Sequence, residues 1–119
     1  MAERPFEAGV RRRPELVVID LHGDIDIEAD EAMRAVYAEV SDSPDPVLLN
    51  FDDVGYINST GIALIVGLLA AGRARSIPVR AFGLTPHYRE IFEITRLADF
   101  LAINPDEDSA VLGVERSSA

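Results

Sequence analysis

Three small polar residues in a row, Asn58, Ser59 and Thr60, precede Gly61 and a strongly apolar segment. Residues of this kind cap helices, because a side-chain oxygen accepts a hydrogen bond from a free backbone N–H of the first turn. One cap needs only one such residue, and three are present here. A hydroxyl at this place lies at the positive end of the helix dipole, where a phosphate group is tolerated.

Ser59 is also a candidate nucleophile for hydrolysis. The nucleophile elbow requires Gly-x-Ser-x-Gly, and Ile57 stands where its first glycine belongs. The two histidines that could act as its base, His22 and His87, belong to other predicted elements. Cysteine and lysine are absent, which excludes a thiolate nucleophile, a Schiff-base lysine and a Walker A lysine. We therefore expect a protein that is not an enzyme.

Four carboxylates follow two predicted strands and could in principle bind Mg²⁺: Asp24, Asp26, Asp52 and Asp53. Nothing in their spacing imposes octahedral geometry, and turn or capping roles are available to the first two. The glycines form no Gly-x-Gly pair, so a dinucleotide fingerprint is absent. We expect no metal and no cofactor.

Charge is unevenly distributed along the chain. The net charge is −10, with 21 acidic residues and 11 basic ones, all of which are arginine. Residues 14–60 hold twelve acids and one arginine, whereas residues 73–96 hold five arginines and two acids. A protein that binds the phosphate backbone usually has the opposite balance, so nucleic acid is not an expected partner. The acidic part is the expected docking face for a protein.

The chain of 119 residues has the size of one domain. We predict a single domain over 1–119, with its core at about 6–114 and a frayed tail at 115–119. The longest apolar stretch, residues 62–71, is far shorter than the roughly 20 residues of a membrane-spanning helix. The first residues contain no apolar signal region either. We therefore expect no membrane span and a cytoplasmic location.

Apolar runs rich in β-branched residues predict the strands that would position these groups. The core strands are expected near residues 16–22, 47–51, 78–83 and 100–103, with a further hairpin strand near 6–11. Residues 52–59 are predicted to form a loop.

Helical periodicity and capping residues predict about four helices between the strands. They are expected at residues 27–40 with Asp26 as cap, from Gly61 to Arg75, from Pro86 with Thr85 as cap, and after Asn104 as cap up to a stop at Gly113. The inner face of the helix from Pro86 is expected to carry Tyr88, Ile91, Phe92 and Thr95. The helix from Gly61 is apolar on nearly every side and is expected to be buried, packed on the sheet and on neighbouring helices. Alternating strands and helices predict an α/β fold with a four- to five-stranded mixed, largely parallel sheet.

Two motifs in this order resemble the STAS domains of bacterial anti-sigma-factor antagonists. The first is Gly23-Asp24-Ile25-Asp26, after a strand and before an acidic helix start. The second is residues 51–62, FDDVGYINSTGI, which resembles the phosphorylation loop of the family. Residues 83–88 and 93–97 also resemble the stretch before the last strand, so the resemblance covers about residues 6–114.

The resemblance implies a partner-switching mechanism. Unphosphorylated members bind an anti-sigma factor with a histidine-kinase-like ATPase fold, which phosphorylates the serine at the position of Ser59, and a PP2C-type phosphatase restores it. Thr60 is the second candidate hydroxyl. The implied partner-binding residues are Asp24, Asp26, Asp53, Tyr56, Asn58, Ser59, Thr60 and Gly61.

One position departs from the family pattern. The family commonly has aspartate before the phosphorylated serine, and this chain has Asn58. The departure leaves open a second interpretation, a non-catalytic STAS subunit of a larger assembly such as a stressosome-type scaffold or a lipid-transport complex.

Overall fold

A computed structural model describes residues 4–117 and shows one five-stranded sheet with helices on both faces. The strands are β1 Glu7–Arg13, β2 Leu16–Ile25, β3 Val47–Ile57, β4 Val79–Phe82 and β5 Ala102–Asn104. The helices are α1 Asp30–Val40, α2 Ser59–Ala74, α3 Pro86–Ile94 and α4 Glu107–Ser117, with 3₁₀ turns at Ile27–Ala29 and Leu97–Asp99.

The strands lie in the sheet in the order in which they occur along the chain. β1 pairs with β2 in an antiparallel hairpin, and all the other neighbours are parallel. This confirms the predicted α/β class, the mixed and mostly parallel sheet, and the additional hairpin strand. The hairpin turns at Pro14 and Glu15, where Glu15 has a left-handed backbone with a φ of 67°.

Alternate residues of the central strands face two separate apolar layers, as the two-residue period of a strand requires. On β2, Val17 and Ile19 join the larger core under α1, α2 and α3. Leu16 and Val18 face the other way and form a smaller core with Ala110 and Val114 of α4. Three helices therefore cover one face of the sheet, and α4 covers part of the other.

Helix α2 is buried on one side only. Ile65, Leu68 and Leu69 are in the core, whereas Val66 on the outer side is 45% exposed. The expected packing on the sheet and on neighbouring helices is present on the inner side alone. The reason is that α1, α2 and α3 form a single layer, and no element of residues 4–117 covers the outer side of that layer.

Strands β2 and β3 extend beyond their predicted ends, and the predicted loop at 52–59 is wrong as far as Ile57. The two strands remain paired through irregular register from His22 opposite Asp53 to Ile25 opposite Ile57. This pairing satisfies backbone groups that a loop would leave to solvent. Both motifs of the STAS resemblance therefore begin on adjacent strand ends.

The last strand and the last helix also differ from their predicted bounds. β5 begins at Ala102, and Phe100 lies outside it with 58% of its surface exposed. Asp106 caps α4, because its Oδ1 accepts a hydrogen bond from the Ser109 N–H at 2.9 Å, and Asn104 ends β5 instead. The predicted stop at Gly113 is wrong.

Helix α4 continues through Gly113 to Ser117. A β-carbon at Gly113 would lie 2.5 Å from a guanidinium nitrogen of Arg80, so the glycine makes room for that side chain. Residues 115–117 of the predicted tail are thus helical, while residues 118–119 lie outside the described residues. Within residues 4–117, no helix combines the length and the apolar character needed to cross a membrane.

Candidate phosphorylation and partner-binding site

The segment that joins β3 to α2, residues 57–61, is named here the β3–α2 junction. Asn58 caps α2: its backbone is extended, and its Oδ1 accepts a hydrogen bond from the Gly61 N–H at 2.8 Å. Its own N–H donates to the Ile25 carbonyl at 3.2 Å. Because Asn58 fills the capping role, the hydroxyls of the next two residues are left for other chemistry.

Ser59 and Thr60 are the first two residues of α2, and both are exposed. The helix begins two residues earlier than predicted. N–H groups of a first helical turn have no partner within the helix, so this end carries partial positive charge. The arrangement presents two accessible hydroxyls at a place that can accommodate a phosphate.

Gly61 lets α2 approach the end of β2. A β-carbon on this buried glycine would lie 2.1 Å from the carbonyl oxygen of Ile25. The register places Asp24 opposite Tyr56 and Ile25 opposite Ile57. The two sequence motifs, whose paired residues are 32 positions apart in the chain, are therefore in direct contact.

Tyr88 supports the junction from the third helix. The N–H of Ile57 donates a buried hydrogen bond to the Tyr88 hydroxyl at 2.9 Å. Tyr88 is 7% exposed and follows the Thr85 cap, whose hydroxyl accepts from the Tyr88 N–H. The periodicity of α3 predicted Tyr88 on the inner face but not this contact. The sequence feature that could have indicated this contact is the Tyr88 hydroxyl, which lies on a mainly apolar face of the helix.

Three more of the predicted partner-binding residues lie close to the junction. Asp26 caps the turn at Ile27–Ala29, as predicted, by accepting from the Glu28 N–H at 2.9 Å. Asp24 accepts from the Arg4 N–H at 3.3 Å. Tyr56 is 55% exposed. Together with the exposed hydroxyls they form an acidic end that carries an aromatic side chain.

Asp53 is farther from the start of α2 and is linked to Asp24 through Arg4, which contacts both carboxylates. Its carboxylate contacts the guanidinium of Arg4 and Nδ1 of His22, each at 2.9 Å. The hydrogen bond with His22, together with that from Arg4, lowers the pKa of Asp53. Asp53 precedes Ile57 by four residues of strand, which is roughly 13 Å of extended chain.

Neither histidine is seen in contact with Ser59. His22 is engaged by Asp53, and the ring of His87 lies 4.9 Å from the ring of Tyr88. In the part of the chain that the structure describes, no three acidic or histidine side chains are grouped closely enough to hold a metal ion.

A family model described as Mlab, STAS domain, matches residues 8–103. The chain belongs to the STAS domain family. An anti-sigma-B factor antagonist of Listeria monocytogenes is 33% identical to it over 71% of this chain and 77% of that protein. The family predicted from the two motifs is thereby confirmed.

Solved structures show the same STAS fold. An anti-sigma-factor antagonist (STAS) domain protein from Planctomyces limnophilus aligns over 92% of this chain and 98% of its own, with a TM-score of 0.78 and 16% identity. The phosphorylated form of the Bacillus cell fate determinant SpoIIAA aligns over 92% and 98%, with a TM-score of 0.67 and 23% identity.

Proposed function

We propose that this STAS domain is an anti-sigma-factor antagonist that binds an anti-sigma factor when unphosphorylated and is released by phosphorylation of Ser59. The observation that carries the proposal is the exposed Ser59 at the first position of α2, with the cap supplied by Asn58. The name of the Listeria relative and the phosphorylated Bacillus structure support it.

The charge around the junction explains how a phosphate would act. A phosphoserine adds about 1.5–2 negative charges at neutral pH. The start of α2 offsets part of that charge within the domain. Asp24 and Asp26 are acidic neighbours, and Arg4 is engaged with Asp53 at 2.9 Å. A partner packed on the junction would have to bury the remaining charge, which is costly.

The partner supplies the chemistry in this scheme. The anti-sigma factor has a histidine-kinase-like ATPase fold and transfers phosphate to Ser59, with Thr60 as the alternative acceptor. A PP2C-type phosphatase removes the phosphate. The STAS chain is a substrate and a ligand in the cytoplasm and needs no catalytic residue. Its contact residues are residues 58–61 together with Asp24, Asp26 and Tyr56, and Asp53 is an outlying member of the set.

Binding of Ser59 variants to the purified partner tests the proposal. The partner is first isolated by pull-down from the native host and identified by mass spectrometry. Ser59→Asp should lower its affinity at least about tenfold, which equals ~1.4 kcal/mol. Ser59→Ala should keep the affinity and abolish kinase-dependent release. Ser43→Asp adds the same charge in the loop before β3 and should leave binding unchanged.

Two results together would overturn the switch. They are a cognate kinase that labels neither Ser59 nor Thr60, and a Ser59→Asp variant that binds as tightly as wild type. Asn58 favours a second candidate function in that case, because the family commonly has aspartate there. That function is a non-switching subunit of a stressosome-type scaffold or a lipid-transport complex, and co-purification within a stable assembly would support it.

A further inference from the structure

A concave surface lies where β3, β4 and β5 begin and α2 ends. It is a groove of about 810 Å³ between α2, the 3₁₀ turn at Leu97–Asp99 and the start of β5. From Ser59 to Arg73 the helix α2 rises by roughly 21 Å, so the groove and the junction are at opposite ends of the domain. The groove is independent of the function proposed above.

The groove is lined mainly by apolar side chains. Leu69, Ile77 and Leu97 line it and are at most 6% exposed. Val66 and Phe100 also line it and are 45% and 58% exposed. The volume falls within the roughly 300–1,000 Å³ of small-molecule sites, which are likewise mostly apolar with a few polar groups.

The polar groups of the groove favour an anion. Its acidic lining residue, Asp99, is paired with Arg96 at 2.8 Å. The guanidinium of Arg73 lies over the Phe100 ring, 5.2 Å from its centre. Among residues 4–117, no carboxylate lies within ion-pair distance of Arg73. Stacking on a ring leaves the N–H edges of a guanidinium able to donate hydrogen bonds.

We infer that this groove binds a long-chain carboxylate, whose tail covers the apolar lining and whose head accepts hydrogen bonds from Arg73. A neutral apolar ligand would leave the guanidinium without a charged partner. A cation would meet repulsion from Arg73. A polyphosphate would find few donors and would leave Val66 and Phe100 exposed. A ligand with a single negative charge on an apolar chain matches both the apolar lining and the guanidinium of Arg73.

Titration of the full chain with dodecanoate tests the inference. Binding is monitored by chemical-shift changes in ¹H–¹⁵N NMR spectra, with dodecanoate kept below its critical micelle concentration. The expected shifts map to the end of α2 and to residues 97–102. Dodecylamine has the same tail length and the opposite charge, and should bind at least about tenfold more weakly.

Matched variants separate the groove from general surface effects. Arg73→Gln should weaken dodecanoate binding roughly two- to fivefold, as expected for an exposed charge pair. Arg75→Gln removes the same charge two residues later, outside the groove, and should have no effect. Val66→Glu should abolish binding, while Ile94→Glu, at another exposed apolar residue, should not.

Three results would overturn the inference. They are equal binding of dodecanoate and dodecylamine, equal effects of the Arg73 and Arg75 variants, or shifts that map outside the groove. Each can be obtained with the Ser59 switch intact or absent, because none of these measurements involves the anti-sigma factor.

Discussion

The hydroxyl of Tyr88 accepts a hydrogen bond from the Ile57 N–H at 2.9 Å, and so joins α3 to the last residue of β3. Tyr88→Phe leaves that buried N–H without an acceptor and should lower the free energy of unfolding by about 1–3 kcal/mol. It should also increase amide hydrogen exchange at Ile57 and Asn58. Urea denaturation and exchange followed by NMR measure the two effects.

Tyr37 provides the matched control for Tyr88. Its hydroxyl is buried and has no hydrogen-bond partner within the described part of the chain. Tyr37→Phe removes an unsatisfied polar group and should leave the stability unchanged or raise it. Equal losses in the two variants would show that the Tyr88 contact contributes nothing specific.

Two glycines of α2 should respond to alanine in opposite directions. A β-carbon at Gly61 would lie 2.1 Å from the Ile25 carbonyl oxygen, whereas Gly67 has open space around it. Gly61→Ala should destabilise the domain by about 1–3 kcal/mol through overpacking. Gly67→Ala should stabilise it by about 0.5–1 kcal/mol through helix propensity. Urea midpoints measure both, and a stable Gly61→Ala variant would contradict the close approach.

Asn58 can be tested apart from any partner. Asparagine and aspartate are similar as helix caps, so Asn58→Asp should change the free energy of unfolding by less than about 0.5 kcal/mol. Asn58→Ala removes the bond to the Gly61 N–H and should cost about 1 kcal/mol. If aspartate before the serine favours the kinase, Asn58→Asp should also raise the initial rate of phosphate labelling. An unchanged rate would show that this residue does not control recognition.

A cluster of charges ties α4 to the sheet. Arg11 contacts both Asp20 and Glu107, and Arg13 contacts Glu107 at 2.7 Å. The hydrogen bonds from Arg11 lower the pKa of Asp20 and that of Glu107. Because the folded-state pKa values are lowered, the resulting stability is complete above the unfolded-state values near 4 and is lost as the pH falls through the folded-state values.

Thermal unfolding between about pH 2 and pH 7 tests this linkage. Asp20→Asn should lower the stability near pH 7 by about 1 kcal/mol, because Arg11 is half-exposed and solvent screens the pair. It should also reduce the loss of stability on acidification. Asp42→Asn, which removes one carboxylate in the loop after α1, is the control for the loss of one negative charge. An unchanged pH profile for Asp20→Asn would refute the linkage.

Short-range sequence patterns predicted the strands, the helices and the family. Apolar runs and caps predicted the order of strands and helices, including Asp26 and Thr85 as caps. Periodicity also predicted that Tyr88 and Phe92 face the core, whereas Thr95, predicted on the same face, is exposed. These features depend on residues within a few positions of one another, so they can be deduced without knowledge of the rest of the chain.

Pairing between distant segments of the chain decided the features of the site that the sequence did not predict. The Ile25 carbonyl meets both the Asn58 N–H and Gly61, which makes Asn58 the cap and leaves Ser59 exposed. The pairing of β2 with β3 extends both strands and removes Asp53 from the helix start. The sequence by itself determined which residues could carry a phosphate. Only the tertiary structure decided which are accessible, because that depends on backbone contacts between residues more than thirty positions apart.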